Sequence, residues 1–296
     1  MYFAVDANDA AELAGHWTAA IADAMAAGTP AGTARHWTAL VDGAFDYGRE
    51  PVNYPGAPVP LYAYEALDDL LAVSPLLIPL ATAPLTLLQD QLIALIRHCA
   101  GRPMLSVVGS ARDALALRKH WQQCARATME SGQTRLLRFA DTRVLPALAD
   151  VLRPDAWATL THGLEHWWYP DRQGNSARLP VTGPRHPPIL PLVIGRGECA
   201  RLAEWGEPDA VIDAMVAQVP DIVPHTNRAA FFERMREVCQ FARERDIDAF
   251  ADKVALAIFD TVRQRDGLSD AALLALLDAR AWQPGELASQ LVEMAG

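Results

Sequence analysis

The residues whose types and spacing best suit chemistry are His162-Gly163-Leu164-Glu165-His166, which fit the pattern H-x-x-E-H. On a helix, two histidines four positions apart share a face and can bind one Zn²⁺, while the glutamate acts as general base in a zinc-dependent hydrolase. The neighbouring residues oppose that geometry. Gly163 weakens a helix, and Trp167-Trp168-Tyr169-Pro170 favours extended chain directly afterwards. In a strand the two imidazoles no longer aim at one metal, which leaves a surface or core-edge pair of histidines. The zinc hydrolase stands as an alternative only, and no catalytic, cofactor-binding or metal-binding residue is assigned.

Other chemistries have less to build on. Ser110 follows Gly109 without the glycines of G-x-S-x-G, and it reads as a helix N-cap within Ser110-Ala111-Arg112-Asp113. Gly195-Arg196-Gly197 resembles part of a phosphate loop, but it lies far from both lysines, Lys119 and Lys253, and reads as a turn. Glu65, Asp68 and Asp69 read as a solvated helix start rather than a paired-carboxylate site. Cys99, Cys124, Cys199 and Cys239 are scattered without C-x-x-C spacing and are expected to be reduced, mostly buried thiols. Aromatic residues offer binding instead. Trp167, Trp168 and Tyr169 are consecutive, so a strand would point alternate rings to opposite faces. Phe231 and Phe232 are adjacent on a helix, 100° apart, and both can be core only if partners flank that helix on two sides. These five are the candidate partner contacts, because aromatic residues anchor interfaces.

The elements that must position these groups follow from pattern. Ala7 to Ala27 reads as a helix stopped by Gly28-Thr29-Pro30. Apolar runs at 36–45, 76–80, 104–108, 134–139 and 166–169 read as strands. Helices are expected over 89–100, from Ser110 to about Met129, from an Asp141 cap through Val151, and from Pro154 to about His162. Five prolines between Pro180 and Pro191 mark a boundary. Beyond it, helices are expected from Pro208, from a Thr226 cap, from Asp248 or Ala249, from a Ser269 cap and from Pro284. The reading is an α+β N-terminal lobe (residues 1–179) with a small central sheet flanked by helices, a Pro-rich linker (180–195), and an all-α C-terminal lobe (196–296).

The 296 residues carry a formal charge of −10, from 36 acidic and 26 basic side chains, and 51% are hydrophobic. This balance excludes a disordered chain and opposes nucleic-acid binding, which needs a basic surface. The chain to Asn175 and the remainder after it each carry 13 basic and 18 acidic side chains, so the acidity is not held in one tail. The most apolar stretch, Leu70 to Leu95, is broken by Asp90 and three prolines, so no membrane span is expected. Without a signal peptide in view, a soluble cytoplasmic protein is expected.

Four segments in this order carry a family resemblance: Thr38-Ala39-Leu40-Val41-Asp42-Gly43-Ala44; Ser74-Pro75 followed by Leu76-Leu77-Ile78; Leu105-Ser106-Val107-Val108-Gly109-Ser110-Ala111; and Leu136-Leu137-Arg138-Phe139-Ala140-Asp141-Thr142-Arg143-Val144-Leu145. Over Trp37 to Gly174 the chain resembles the domain-of-unknown-function 4123 family, bacterial type VI secretion effector adaptors of the Tap/Tec type. The resemblance implies a non-enzymatic adaptor or chaperone without cofactors. Its implied partners are a cognate toxic effector and the VgrG spike, with neither nucleic acid nor membrane. It supplies no catalytic residues, and the Asp141/Arg143 pair is expected to organise its turn and helix start. An immunity or structural protein that binds a toxin without delivering it is the other non-enzymatic alternative.

Overall fold

Short β-branched and aromatic runs form strands here, and Ala- and Leu-rich amphipathic runs form helices. The computed structural model describes residues 2–27, 36–50, 53–181, 187–264, 267–280 and 282–295. In chain order the elements are α1 (Ala10–Ala26), β1 (His36–Val41), β2 (Val59–Pro60), β3 (Leu76–Pro79), α2 (Leu85–Cys99), β4 (Leu105–Ser110), α3 (Ala114–Cys124), β5 (Arg126–Met129), β6 (Thr134–Leu136), α4 (Leu145–Val151), α5 (Pro154–Leu160), β7 (Leu164–Pro170), β8 (Ser176–Arg178), β9 (Val193–Ile194), α6 (Arg196–Gln218), α7 (Arg228–Glu244), α8 (Phe250–Val262), α9 (Ala271–Ala279) and α10 (Leu287–Ala295). An α+β region is followed by an all-helical one, which is the expected fold class.

The chain divides into two compact units, Ala7–Leu202 and Met1–Asp6 with Ala203–Gly296, and the division falls within α6. In the larger unit the described strands form an antiparallel sheet of order β2-β3-β1-β4-β7-β8 and a smaller sheet of order β6-β5-β9. β9, within the Pro-rich stretch, pairs in parallel with β5. Leu40, Leu77, Val108, Trp167 and Tyr169 face one core with α3, α4 and α5. On the other side α1 packs against α2 and α2 against β4, and Trp17 of α1 donates to Ser176 Oγ in β8 at 2.8 Å. In the smaller unit Val211, Met215, Phe231, Met235, Val254 and Leu256 form a helical core.

Several boundaries depart from pattern. The α3 cap is Asp113, whose carboxylate accepts from Ala116 N at 2.8 Å, rather than Ser110, which ends β4. α3 stops at Cys124, and residues expected to continue it form β5. Pro208 lies inside α6 rather than opening it. Asp270, not Ser269, caps α9. Thr226 does not cap α7. The N–H groups of Arg228 and Ala229 donate to the Asp6 carboxylate at 2.7 and 3.3 Å. Asp252 likewise accepts from Gly285 N at 2.8 Å and Leu287 N at 2.9 Å at the start of α10. Carboxylates remote in sequence thus satisfy the orphan donors of helix N-termini, where the helix dipole favours negative charge. The expected stop at Gly28-Thr29-Pro30 lies outside the described residues, as does Pro184. No described helix is long and apolar enough to cross a membrane.

Candidate functional site

The H-x-x-E-H residues do not share a helix. α5 ends at Leu160, Gly163 adopts φ 85°, and Glu165 and His166 belong to β7. His166 stacks on Trp37 with ring centroids 5.2 Å apart, whereas the His162 ring lies 5.7 Å from that of His120. The Nε2–H of His120 donates to the Thr159 carbonyl at 2.9 Å. Burial lowers the pKa of both His120 and His166 below the ordinary imidazole range. Among the described residues no group of three or more His, Cys, Asp or Glu side chains is arranged to hold a metal ion.

The remaining motif residues are engaged structurally. Ser110 Oγ donates to the Gly163 carbonyl at 2.8 Å and accepts from Arg112 N at 2.9 Å. Gly195 N and Arg196 N, in the glycine turn, donate to Glu198 at 2.7 Å and to Glu130 at 3.0 Å. All four cysteines are free thiols, and Cys99, Cys124 and Cys239 are buried. Burial pushes the Cys124 and Cys239 thiols up to about 12, which keeps them protonated and unreactive. Glu65, Asp68 and Asp69 are exposed on a 3-10 helix, Glu65–Val73.

The five aromatic candidates are buried within their own units. Trp167 packs among Trp121, Trp157 and Phe139, while Trp168, on the opposite sheet face, stacks on Trp37 at 5.0 Å. The alternation expected of β7 is present, but both faces of the sheet are covered. Tyr169 is buried on the Trp167 side, and Phe231 and Phe232 both belong to the helical core. Each retains under a tenth of its surface, so these side chains present little to a partner in this fold.

The groups that do come together lie at the end of β1. Asp42 caps a 3-10 turn, Gly43–Asp46, through Ala44 N at 3.1 Å. Its buried carboxylate accepts from Arg138 Nη2 at 2.8 Å. Arg143 grips Asp141 through Nε at 3.1 Å and Nη2 at 2.8 Å, and Asp141 also accepts from Arg143 N at 3.0 Å. Asp141 thus organises its own turn, as expected, while α4 begins later, at Leu145, without a side-chain cap. Both guanidinium groups sit over the Phe45 ring, at 5.6 and 5.7 Å from its centroid. A Cβ on Gly43 would lie 2.3 Å from the Ser74 carbonyl oxygen, so only glycine permits this approach. Ser74 Oγ in turn accepts from Tyr62 N at 2.9 Å. The sequence segments around Asp42-Gly43, Ser74-Pro75 and Arg138–Arg143 therefore meet in one place.

A second set of charges adjoins the first. Asp46 accepts from Arg102 Nη1 at 2.6 Å, from His98 Nε2 at 2.9 Å, and from the Tyr54 hydroxyl. Arg102 also donates to the Phe45 carbonyl at 3.2 Å. Asp46, His98, Arg102 and Tyr54 escaped sequence reasoning because they come from three segments. The one available signal was the acidic residue four positions after Asp42. Chemically, the arrangement locks loops together and holds the half-exposed Arg138 at a fixed place on the surface.

The two carboxylates respond oppositely to pH. Burial raises the pKa of Asp42 despite Arg138. Burial also acts to raise Asp46, but hydrogen bonds from Tyr54, His98 and Arg102 outweigh it and hold the group below the usual carboxylate range. Carboxyl-carbon NMR titration should place Asp42 above and Asp46 below a free aspartate. By linkage, Asp46 stabilises the fold above the free-carboxyl pKa, and that contribution is lost as pH falls through its lowered value. Asp42 has the reverse sign, and its contribution grows as pH falls from its raised value toward the free one. Coincident titration of the two groups would contradict this arrangement.

Residues 37–159 match the model of a family described as Domain of unknown function (DUF4123). That span runs from Trp37 in β1 to Thr159 in α5 and takes in every residue of both charge clusters. No curated protein and no solved structure matches the chain.

Proposed function

We propose that this protein is a non-enzymatic, cytoplasmic adaptor or chaperone that binds a type VI secretion effector and promotes its loading onto a VgrG spike. The observation that carries this reading is the match over residues 37–159, since the matched family is associated with type VI secretion effector adaptors. The geometry supports it. The Asp42, Ser74, Ser110, Arg138, Asp141 and Arg143 side chains, all in motif segments, are hydrogen-bonded to one another or to backbone, and so fix loops into a defined surface. A binding protein needs such preorganisation, with its ordering cost met before the partner arrives.

The test is co-expression with the effector and spike proteins encoded beside this gene. The expected result is a stoichiometric complex on size exclusion. Deleting the gene should abolish delivery of that effector while leaving its synthesis intact. Elution apart from both neighbours, with delivery unaffected by the deletion, would overturn the proposal. Protection of a toxin-expressing cell by this protein alone, with normal delivery in the deletion strain, would replace it with an immunity role.

A further inference from the structure

We propose that the free edge of β6, with the groove beside it, is a docking surface for an extended acidic segment of a partner protein, whether or not that partner is a secretion effector. Backbone geometry supplies the first argument. Leu137 N donates to Ala125 O at 2.8 Å and Met129 N to Gln133 O at 2.7 Å, and β5 pairs with β6 in that same register. In an antiparallel pair, hydrogen-bonded and non-hydrogen-bonded positions alternate. Residues 133, 135 and 137 therefore bond to β5, and the N–H and C=O groups of Thr134 and Leu136 point outward. Among the described residues β6 is the last strand of its sheet, and all three of its residues are exposed. An unpaired edge of this kind accepts an added strand.

Charge supplies the second argument and selects the occupant. The chain as a whole carries −10, yet between residues 91 and 140 eight basic side chains face only two acidic ones. Beside β6, a groove of about 530 Å³ is lined by Lys119, Gln122 and Gln123 from α3, by Arg126 and Thr128 from β5, and by Thr134. Lys119 and Arg126 are exposed and form no ion pair with a described residue, whereas Arg102, Arg138, Arg143, Arg153 and Arg201 of the same unit are all paired with acids. Leu136 lies opposite Arg126 in the register, so both occupy the groove side of the sheet, and Leu136 is 37% exposed. An incoming strand with carboxylates on one face would pair with the two free cations. Its backbone would complete the Thr134 and Leu136 hydrogen bonds.

The test uses the full chain, isotopically labelled, and three synthetic octapeptides: alternating Glu-Val, alternating Lys-Val, and Glu-Val with alternate amides N-methylated. The Glu-Val peptide is expected to shift the Thr134 and Leu136 amide resonances, and the Lys-Val peptide to leave them unmoved. N-methylation should weaken binding, because it removes the donors of one ladder edge. Arg126→Glu and Lys119→Glu, both at exposed positions, should each lower affinity for the Glu-Val peptide about tenfold while preserving the remaining spectrum. The proposal is overturned if millimolar Glu-Val peptide leaves Thr134 and Leu136 unperturbed. Equal affinity for the Lys-Val or the methylated peptide also overturns it.

Discussion

Replacing Trp167 with alanine is expected to destabilise the sheet-containing unit by about 3–5 kcal/mol, the range for deleting a large buried aromatic. Trp167 is fully buried between Trp121, Trp157 and Phe139, and the surrounding rings belong to different elements that cannot all close on the space left behind. Its Nε1–H donates to Ser106 Oγ at 3.0 Å, and Ser106 is itself buried, so the variant also leaves a hydroxyl without that partner. Trp167→Phe should lose far less, since it keeps ring contact and forfeits the hydrogen bond. Urea denaturation followed by circular dichroism gives the size of the loss, and amide exchange in β4 and β7 gives its location. A loss below about 1 kcal/mol would show that Trp167 behaves as a surface anchor, whose removal costs binding rather than stability.

Arg234→Ala should have a comparable effect on the helical unit. The Asp260 side chain is fully buried, and it accepts from Arg234 Nε at 2.7 Å and from Arg234 Nη2, with Leu268 N a weaker donor at 3.3 Å. The same pairing with Asp260 raises the Arg234 pKa. Removing the guanidinium strands a carboxylate in the core, and breaking such a pair from one side costs about 3–5 kcal/mol. Replacing both partners, as Arg234→Met with Asp260→Leu, should recover much of that, because no uncompensated charge remains. Faster amide exchange across α7 and α8 in the single variant, with recovery in the double variant, is the expected signature. Equal loss in both would refute the charge-stranding account.

The main strands were legible because their information is local. Trp37 to Val41, Leu76 to Pro79, Leu105 to Val108 and Trp167 to Tyr169 are apolar runs bounded by turn residues. β5 was not legible. Arg126-Ala127-Thr128-Met129 continues the helical character of Trp121 to Ala125, and what makes it a strand is pairing with β6 and β9 on either side. The caps of α7 and α10 were hidden for the same reason. Their carboxylates, Asp6 and Asp252, lie 222 and 35 residues from the amides they accept. At the candidate site, Asp42, Arg138, Asp141 and Arg143 all stood in recognisable segments. Only the fold shows that Gly43 must yield to the Ser74 carbonyl for those segments to meet. Motif spacing failed for His162 and His166 because it presumes a helix, and the chain turns at Gly163.

The scarcity of lysine has a practical side. Of the two ε-amines, that of Lys253 is buried against Glu207, whereas that of Lys119 stands exposed at the groove beside β6. Amine-directed reagents therefore distinguish them without mutagenesis. An activated ester at mildly alkaline pH should acylate the Lys119 side chain, along with any free α-amine, and spare that of Lys253. Acylation removes the Lys119 cation and should itself weaken binding of an acidic peptide, whereas a short amine-to-carboxyl cross-linker would capture an acidic strand lying there. Almost every tryptic cut in such a conjugate falls at arginine, so the labelled fragment keeps its neighbours and is simple to identify by mass.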